Sequence, residues 1–256
     1  MPATVSVRDA AAPPATARQL VRFAFYAVDP TWRRRSAEER AADRAEVAQV
    51  IRETAALPGV VLRTYSQVGT RGDADFMVWL ISEDMAVLHG FSRRLNGTRL
   101  GGWLRSPHSY LAMTKRSTYT DAHRHPEQEG RGNRLVITPG GRRYLFVYPF
   151  VKTRSWYRLD QHERQRQMNE HIAMGHRHPS VKINTTYSFG IDDQEFVVAF
   201  ETDFVGDFLD LMMTLRETEA SRYTERDTPI FTCRSGGIRE VLDTLGAAAA
   251  TAPVDA

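Results

Sequence analysis

The sequence predicts an α+β fold in which two fused ferredoxin-like halves, each with the order β-α-β-β-α-β, form a dimeric α+β barrel. The same succession of strand-like and helix-like patterns occurs in residues 18–115 and 143–240. The third predicted strands are also alike: residues 75–79 read Asp-Phe-Met-Val-Trp, and residues 195–199 read Glu-Phe-Val-Val-Ala. Two such halves, each with helices on one sheet face, are expected to bury their other faces together.

The elements of the first half follow from alternation and capping signals. We predict strands at residues 20–28, 60–68, 75–81 and 109–114, and helices at residues 36–56 and 83–95. Ser36 and Glu39 have the spacing of a capping box, which marks the start of the first helix.

The second half repeats this order. We predict strands at residues 143–152, 181–189, 195–201 and 230–233, a helix that begins at Asp160, and a long helix at residues 203–223. Residues 116–142, which contain His123 and His125 among glycines and prolines, are predicted to be a connector. Residues 1–17 and 241–256 are expected to be flexible tails.

The composition is typical of a soluble globular protein and argues against several classes. Hydrophobic residues make up 42% and charged residues 25% of the chain. No apolar run reaches the roughly 18 residues of a membrane span, and no secretory signal is visible. Cys233 is the single cysteine, which excludes a disulfide framework and favours a cytoplasmic location. The net charge of +3, with arginines spread among acidic residues, does not indicate nucleic-acid binding.

His171 is a candidate metal ligand. In the helix that begins at Asp160, residues Met168, His171, Ile172 and Gly175 share one apolar stripe. A histidine in such a stripe is either a core residue with satisfied ring nitrogens or a metal or haem ligand. The pattern alone leaves both interpretations open.

Glu219 is a candidate partner for that histidine. On the predicted helix at residues 203–223 it continues an apolar stripe, and ligating histidines usually donate their second N–H to a carboxylate or a carbonyl. Alternatively, Glu219 pairs with Arg222 in solvent. If the helical phase differs, Glu217 is the candidate partner of the histidine.

The strand at residues 143–152 carries the third set of candidates. Alternation places five side chains on one face: Tyr144, Phe146, Tyr148, Phe150 and Lys152. Pro149 cannot donate to a strand ladder and marks an edge or bulge. Tyr148 and Lys152 either line a pocket for a planar acidic ligand or belong to a core that the lysine caps.

At these residues the sequence resembles the chlorite dismutase family and, within it, coproheme decarboxylases of the actinobacterial type. The resemblance spans about residues 18–240. Its specific parts are Tyr-Pro-Phe-Val-Lys at 148–152, Ser-Trp-Tyr at 155–157, Met-Asn-Glu-His at 168–171, Pro-Ser-Val-Lys at 179–182, Asp-Gln-Glu-Phe at 193–196, Phe-Glu at 200–201, and Asp-Ala-Asp-Phe-Met at 73–77.

The resemblance implies a reaction and roles for these residues. Hydrogen peroxide would decarboxylate two propionates of iron-coproporphyrin III to give haem b, so no separate organic cofactor is needed. His171 would be the proximal iron ligand, Tyr148 the radical that takes hydrogen from the propionates, and Lys152 a residue beside them. Pro149, Phe150 and Val151 would complete the porphyrin-binding motif. The resemblance also implies a homo-oligomer, usually a pentamer.

The far side of the porphyrin departs from the family's patterns. Residues 183–185 read Ile-Asn-Thr where chlorite-decomposing members carry an arginine, and Asn184 is expected to contact the porphyrin there. His123 and His125 are candidates for the distal histidine of the actinobacterial type. The alternatives are another haem-dependent enzyme of the superfamily (a chlorite dismutase, or an oxidase or dehydratase of a small molecule) and a non-catalytic haem-binding protein.

Overall fold

The computed structural model describes residues 18–119 and 135–246, which form an α+β fold of antiparallel strands and helices. The strands are β1 (Leu20–Val28), β2 (Val61–Ser66), β3 (Phe76–Ser82), β4 (Leu104–Met113), β5 (Tyr144–Lys152), β6 (Lys182–Tyr187), β7 (Phe196–Thr202), β8 (Thr224–Arg226) and β9 (Phe231–Ser235). The helices are α1 (Ala37–Ala55), α2 (Met85–Asn96), α3 (Arg154–Arg158), α4 (Gln161–Gly175), α5 (Val205–Arg216) and α6 (Ile238–Asp243). No described helix is long and apolar enough to cross a membrane.

The strands pair in the order β7-β6-β4-β1-β3-β2-β9-β5-β8, and β5 pairs with β7 as well. The first half contributes the run β4-β1-β3-β2, and the second contributes the neighbours β6, β7, β5 and β9. The halves meet where Met113 pairs with Tyr187 and where Tyr65 pairs with Ser235. The side chains of β5 alternate between two apolar clusters, with Leu145 and Val147 in one and Phe146 and Tyr148 in the other.

Three apolar clusters fill the described part of the chain. One is built from strands of both halves and includes Phe25, Trp79, Leu145, Val147 and Phe231. A second packs the strands of the first half against α1, α2 and α6. The third packs β5 and β7 against α5 and is the one that borders the candidate site.

The capping signals were predicted correctly. The Ser36 side chain accepts a hydrogen bond from the Glu39 backbone, and the Glu39 carboxylate accepts one from the Ser36 backbone. Asp160 caps α4 by accepting from the Glu163 backbone at 2.8 Å. The Asp160 cap fixes the start of α4, which carries His171.

The predicted helix at residues 203–223 is too long. The helix α5 ends at Arg216, and a separate 3-10 helix spans Glu219–Tyr223. Between them Thr218 is extended, and its hydroxyl donates to the Leu215 carbonyl at 2.8 Å. The apolar stripe of α5 therefore does not continue to Glu219, which lies in a different element.

The predicted C-terminal tail begins too early. The helix α6 continues past residue 240, and Val241, Leu242 and Leu245 are buried in the cluster of the first half. Residues 241–246 are therefore packed. Residues 1–17 and 247–256, and the candidates His123 and His125, lie outside the described residues.

Candidate functional site

The register of β5, β7 and β6 aligns side chains in rows across one face of the sheet. Tyr148 pairs with Val198, and Val198 pairs with Thr185. Directly opposed residues of antiparallel strands share a face. The three rows are Phe146, Phe200 and Ile183; Tyr148, Val198 and Thr185; and Phe150, Phe196 and Tyr187.

The helix α5 covers part of this face. Phe146, Tyr148 and Phe200 are buried beneath it, and Phe146 stacks on Phe208 with ring centroids 3.9 Å apart. The remaining members of the three rows are half-buried or exposed: Ile183, Thr185, Val198, Phe150, Phe196 and Tyr187. We call these six residues the open wall. It is apolar and aromatic except for the hydroxyls of Thr185 and Tyr187.

Tyr148 lies at the boundary between the residues that α5 covers and the open wall. Its ring stacks on Phe200 at 5.8 Å, and its hydroxyl donates to the Met212 sulfur at 3.5 Å. Burial raises the pKa of Tyr148 above its usual value, so the phenol stays neutral. A thioether is a weak acceptor, so little holds the hydroxyl hydrogen in place.

Pro149 marks an interruption in the strand ladder, as predicted. Pairing of β5 with β9 ends at Val147, whereas pairing with β8 begins at Val151. On the other edge Pro149 stays in register with Val197. A residue without an N–H suits the one edge of the strand where no ladder partner is present.

Lys152 ends β5 in a buried position. Its ammonium donates to the Ala220 carbonyl at 2.8 Å and lies 4.2 Å from the Trp156 ring centroid. Its backbone N–H donates to the Glu195 carboxylate, which also accepts from Tyr157. Burial lowers the pKa of Lys152 to about 8, and the Glu195 charge opposes that shift. The ammonium has three hydrogens, so it can serve a ligand carboxylate as well as Ala220.

His171 lies on the half-buried stripe of α4 with Met168, Ile172 and Gly175. A Cβ on Gly175 would lie 3.8 Å from the Ile183 side chain, so this end of α4 approaches the open wall. Desolvation, followed by the positive charge of Lys152, lowers the pKa of His171 to about 4. The imidazole is therefore neutral at pH 7, which is the form that binds metals.

These residues fit an iron porphyrin. The Nδ1 atom of His171 is buried without a hydrogen-bond partner among the described residues. Within the same residues no cluster of three or more His, Cys, Asp or Glu side chains could hold an ion. A single histidine beside an apolar, aromatic wall suits an iron that a macrocycle already coordinates, rather than a metal held by protein ligands alone.

Asn184, which was predicted to contact the porphyrin, does not lie on the open wall. It pairs with Ala199, so its side chain points to the cluster between the halves. There it donates to the Glu201 carboxylate at 2.9 Å. Its sequence neighbours Ile183 and Thr185 belong to the open wall instead. The two-residue period of a strand is the sequence signal that places Thr185, rather than Asn184, on the same face as Ile183.

Glu219, predicted to accept from His171, is not hydrogen-bonded to it in the ligand-free structure and forms the alternative pair with Arg222 instead. Its carboxylate accepts from Arg222 at 3.2 Å, whereas its backbone N–H donates to Glu170 of α4 at 3.3 Å. Because α5 ends before Glu219, the stripe that placed it opposite His171 is interrupted. The 3-10 helix nevertheless packs on α4, so Glu219 borders the site. Glu217 is exposed at the end of α5.

Known proteins resemble the chain over most of its length. A family model described as chlorite dismutase matches residues 40–236. A coproheme decarboxylase of Mycolicibacterium smegmatis is 34% identical over 68% of this chain and 73% of that protein. A chlorite dismutase of Ideonella dechloratans is 24% identical over 80% of this chain and 72% of that protein. A solved variant of chlorite dismutase from Candidatus Nitrospira defluvii superposes with TM-score 0.78 and 26% identity, covering 88% of this chain and 94% of that chain.

Proposed function

Because the chain belongs to the chlorite dismutase family, we propose that it uses hydrogen peroxide to decarboxylate two propionates of iron-coproporphyrin III, giving haem b. The observation that carries this proposal is the position of Tyr148, a buried neutral phenol at the edge of a wall that a planar ring can cover. The coproheme decarboxylase activity of the mycobacterial relative supports the choice.

In the proposed reaction, Tyr148 is the residue that abstracts a hydrogen atom from the substrate. Hydrogen peroxide would supply the oxidising equivalents through the iron of the substrate, which His171 would hold. Tyr148 loses its hydroxyl hydrogen and then takes one from a propionate side chain. For each propionic acid group, one peroxide is consumed, one CO₂ leaves, a vinyl group forms, and two waters are released. The weak Met212 acceptor leaves the phenol hydrogen available for this transfer.

Two charged residues support this arrangement. We propose that Lys152, whose ammonium already donates to Ala220, also binds a propionate. We further propose that Glu219 reorients from Arg222 to accept from the unpartnered Nδ1 of His171 when the substrate binds. A carboxylate partner makes an imidazole more electron-donating, which favours cleavage of the peroxide bond.

Chlorite decomposition is the second candidate, since chlorite dismutases are also among the relatives. The strand β6 contributes three residues to the open wall, and none of them is an arginine: Ile183, Thr185 and Tyr187. A fixed guanidinium would bind oxyanions, and neither a threonine nor an isoleucine can replace it. This favours the decarboxylase over the dismutase.

We also infer that the strands close into a dimeric α+β barrel of two ferredoxin-like halves. The run β4-β1-β3-β2 has the ferredoxin-like order, and the neighbours β6, β7, β5 and β9 repeat it. The double pairing of β5, with β9 and with β7, supports closure because it joins β7, at one end of the strand order, to β5, which is next to the other end. The open wall would then lie on the outer face of the barrel.

Incubation of the protein with iron-coproporphyrin III and peroxide, followed by mass spectrometry, tests the function. We expect a product that has lost two carboxyl groups, and we expect His171→Ala to abolish it. Tight binding of haem b without any mass change would favour a haem-binding protein. Sustained oxygen release from chlorite would favour the dismutase.

A further inference from the structure

We propose that Lys115 binds a carboxylate at the porphyrin edge opposite Lys152 and thereby selects acidic tetrapyrroles. This inference rests on the proposed function, because it takes the ligand of the open wall to be a porphyrin. Lys115 lies outside the motifs that carry the family resemblance.

Lys115 lies just beyond the end of β4, at the border of the open wall. The last residue of β4, Met113, pairs with Tyr187 of β6. Thr114 is buried, and its hydroxyl accepts from the Gln19 backbone and donates to the Leu135 carbonyl. These bonds fix the chain, and the exposed ammonium of Lys115 lies 5.5 Å from the Tyr187 ring centroid.

The aromatic row of the open wall is flanked by two lysines. The row consists of Phe150, Phe196 and Tyr187. The ring centroids of Phe196 and Tyr187 are 5.3 Å apart. At its β5 end the Lys152 ammonium lies 5.6 Å from the Phe150 ring, and at its β6 end Lys115 lies over Tyr187. A planar ring on this row would present its edges to an ammonium on each side.

The two lysines differ in what they can contribute. Lys152 is buried and already donates to Ala220, whereas Lys115 is exposed beside a ring face. The carboxylate of Asp192 accepts from the Leu111 backbone and from Gln194, so its bonds are directed to β4 and its own turn. A ligand carboxylate at Lys115 would gain a charge-assisted hydrogen bond without giving up the contact with Tyr187.

A titration with iron-free coproporphyrin III tests the proposal without involving the His171–iron bond. The Kd is measured by fluorescence quenching. We expect Lys115→Met to raise the Kd of the tetraacid about tenfold or more. The Kd of the uncharged coproporphyrin tetraamide should stay the same. Lys115→Arg should retain most of the affinity for the tetraacid.

Lys182→Met is the matched control. Lys182 begins β6 but pairs with Glu201 and points to the opposite face, where its ammonium donates to the Thr138 carbonyl. It should bind both porphyrins like the parent protein. An unchanged Kd for the tetraacid in Lys115→Met, or an equal loss for acid and amide, would overturn the proposal. Selective loss for the acid supports it even if peroxide turnover of coproheme proves absent, so the two proposals fail separately.

Discussion

The ammonium of Lys152 lies close enough to His171 to lower the pKa of the imidazole, in addition to the larger effect of burial. Both effects disfavour the imidazolium form, so the ring is neutral above about pH 4. The protein thus holds His171 in the protonation state that can bind a metal before any ligand is present. The energetic cost of this arrangement appears in the pH dependence of stability.

The stability of the ligand-free protein should therefore depend on His171 at mildly acidic pH. The folded pKa of about 4 is below the usual value of 6.5 for an exposed histidine, so between these two pH values the unfolded chain binds a proton that the folded one does not. The contribution is fully present above the unfolded pKa and is lost as pH falls through this interval. In urea unfolding, the stability of the parent relative to His171→Gln should fall from pH 7 to pH 4.

Lys152→Met is the second arm of that experiment. Removing the ammonium eliminates one cause of the shift, so the pKa of His171 should rise and the pH-dependent loss should become smaller. A parent and a His171→Gln variant whose stability difference is constant across this interval would contradict the account.

The orientation of β6 can be tested with two adjacent residues. Asn184→Ala should leave porphyrin binding unchanged but lower the free energy of unfolding by about 1–3 kcal/mol, because buried Glu201 loses a donor. Thr185→Trp should weaken porphyrin binding and leave the free energy of unfolding unchanged, since the larger side chain stands at an exposed position of the open wall. Porphyrin titration and urea unfolding measure the two effects. Weakened binding in Asn184→Ala with normal binding in Thr185→Trp would show that the strand phase is wrong.

Much of this arrangement follows from local periodicity, which explains what the sequence could predict. Alternation in β5 correctly separated Phe146 and Tyr148 from Leu145 and Val147, because that strand is paired on both edges and contacts a cluster on each face. The same alternation in β6 puts Asn184 on the face opposite to Ile183 and Thr185.

The position of Glu219 could not be predicted from periodicity. Its spacing from the apolar residues of α5 is helical, but the hydroxyl of Thr218 bonds to Leu215 and ends that helix. Hydrogen bonds between side chain and backbone compete with helix continuation and leave no trace in an apolar stripe. The burial of Leu245 was missed for a related reason, because it depends on packing against a distant part of the chain.

The proposed reorientation of Glu219 predicts a spectroscopic change. With ferrous porphyrin bound, Glu219→Gln should lower the Fe–His stretching frequency, because a neutral amide makes the imidazole less electron-donating. Resonance Raman spectroscopy measures this frequency. Glu217→Gln is the control, since Glu217 is exposed at the end of α5 and should have no effect. A frequency that stays the same in Glu219→Gln would mean that the carboxylate remains with Arg222.

The most direct test of the central claim is the conversion of iron-coproporphyrin III by Tyr148→Phe, followed by mass spectrometry after addition of peroxide. Phenylalanine keeps the ring on Phe200 and loses a hydroxyl whose acceptor is a thioether, so stability should fall by no more than about 1 kcal/mol. Tyr110→Phe, on the opposite face of the sheet, is the control. The account predicts parent-like porphyrin binding with no decarboxylation in Tyr148→Phe and normal decarboxylation in Tyr110→Phe. Formation of haem b by Tyr148→Phe at the parent rate would contradict it.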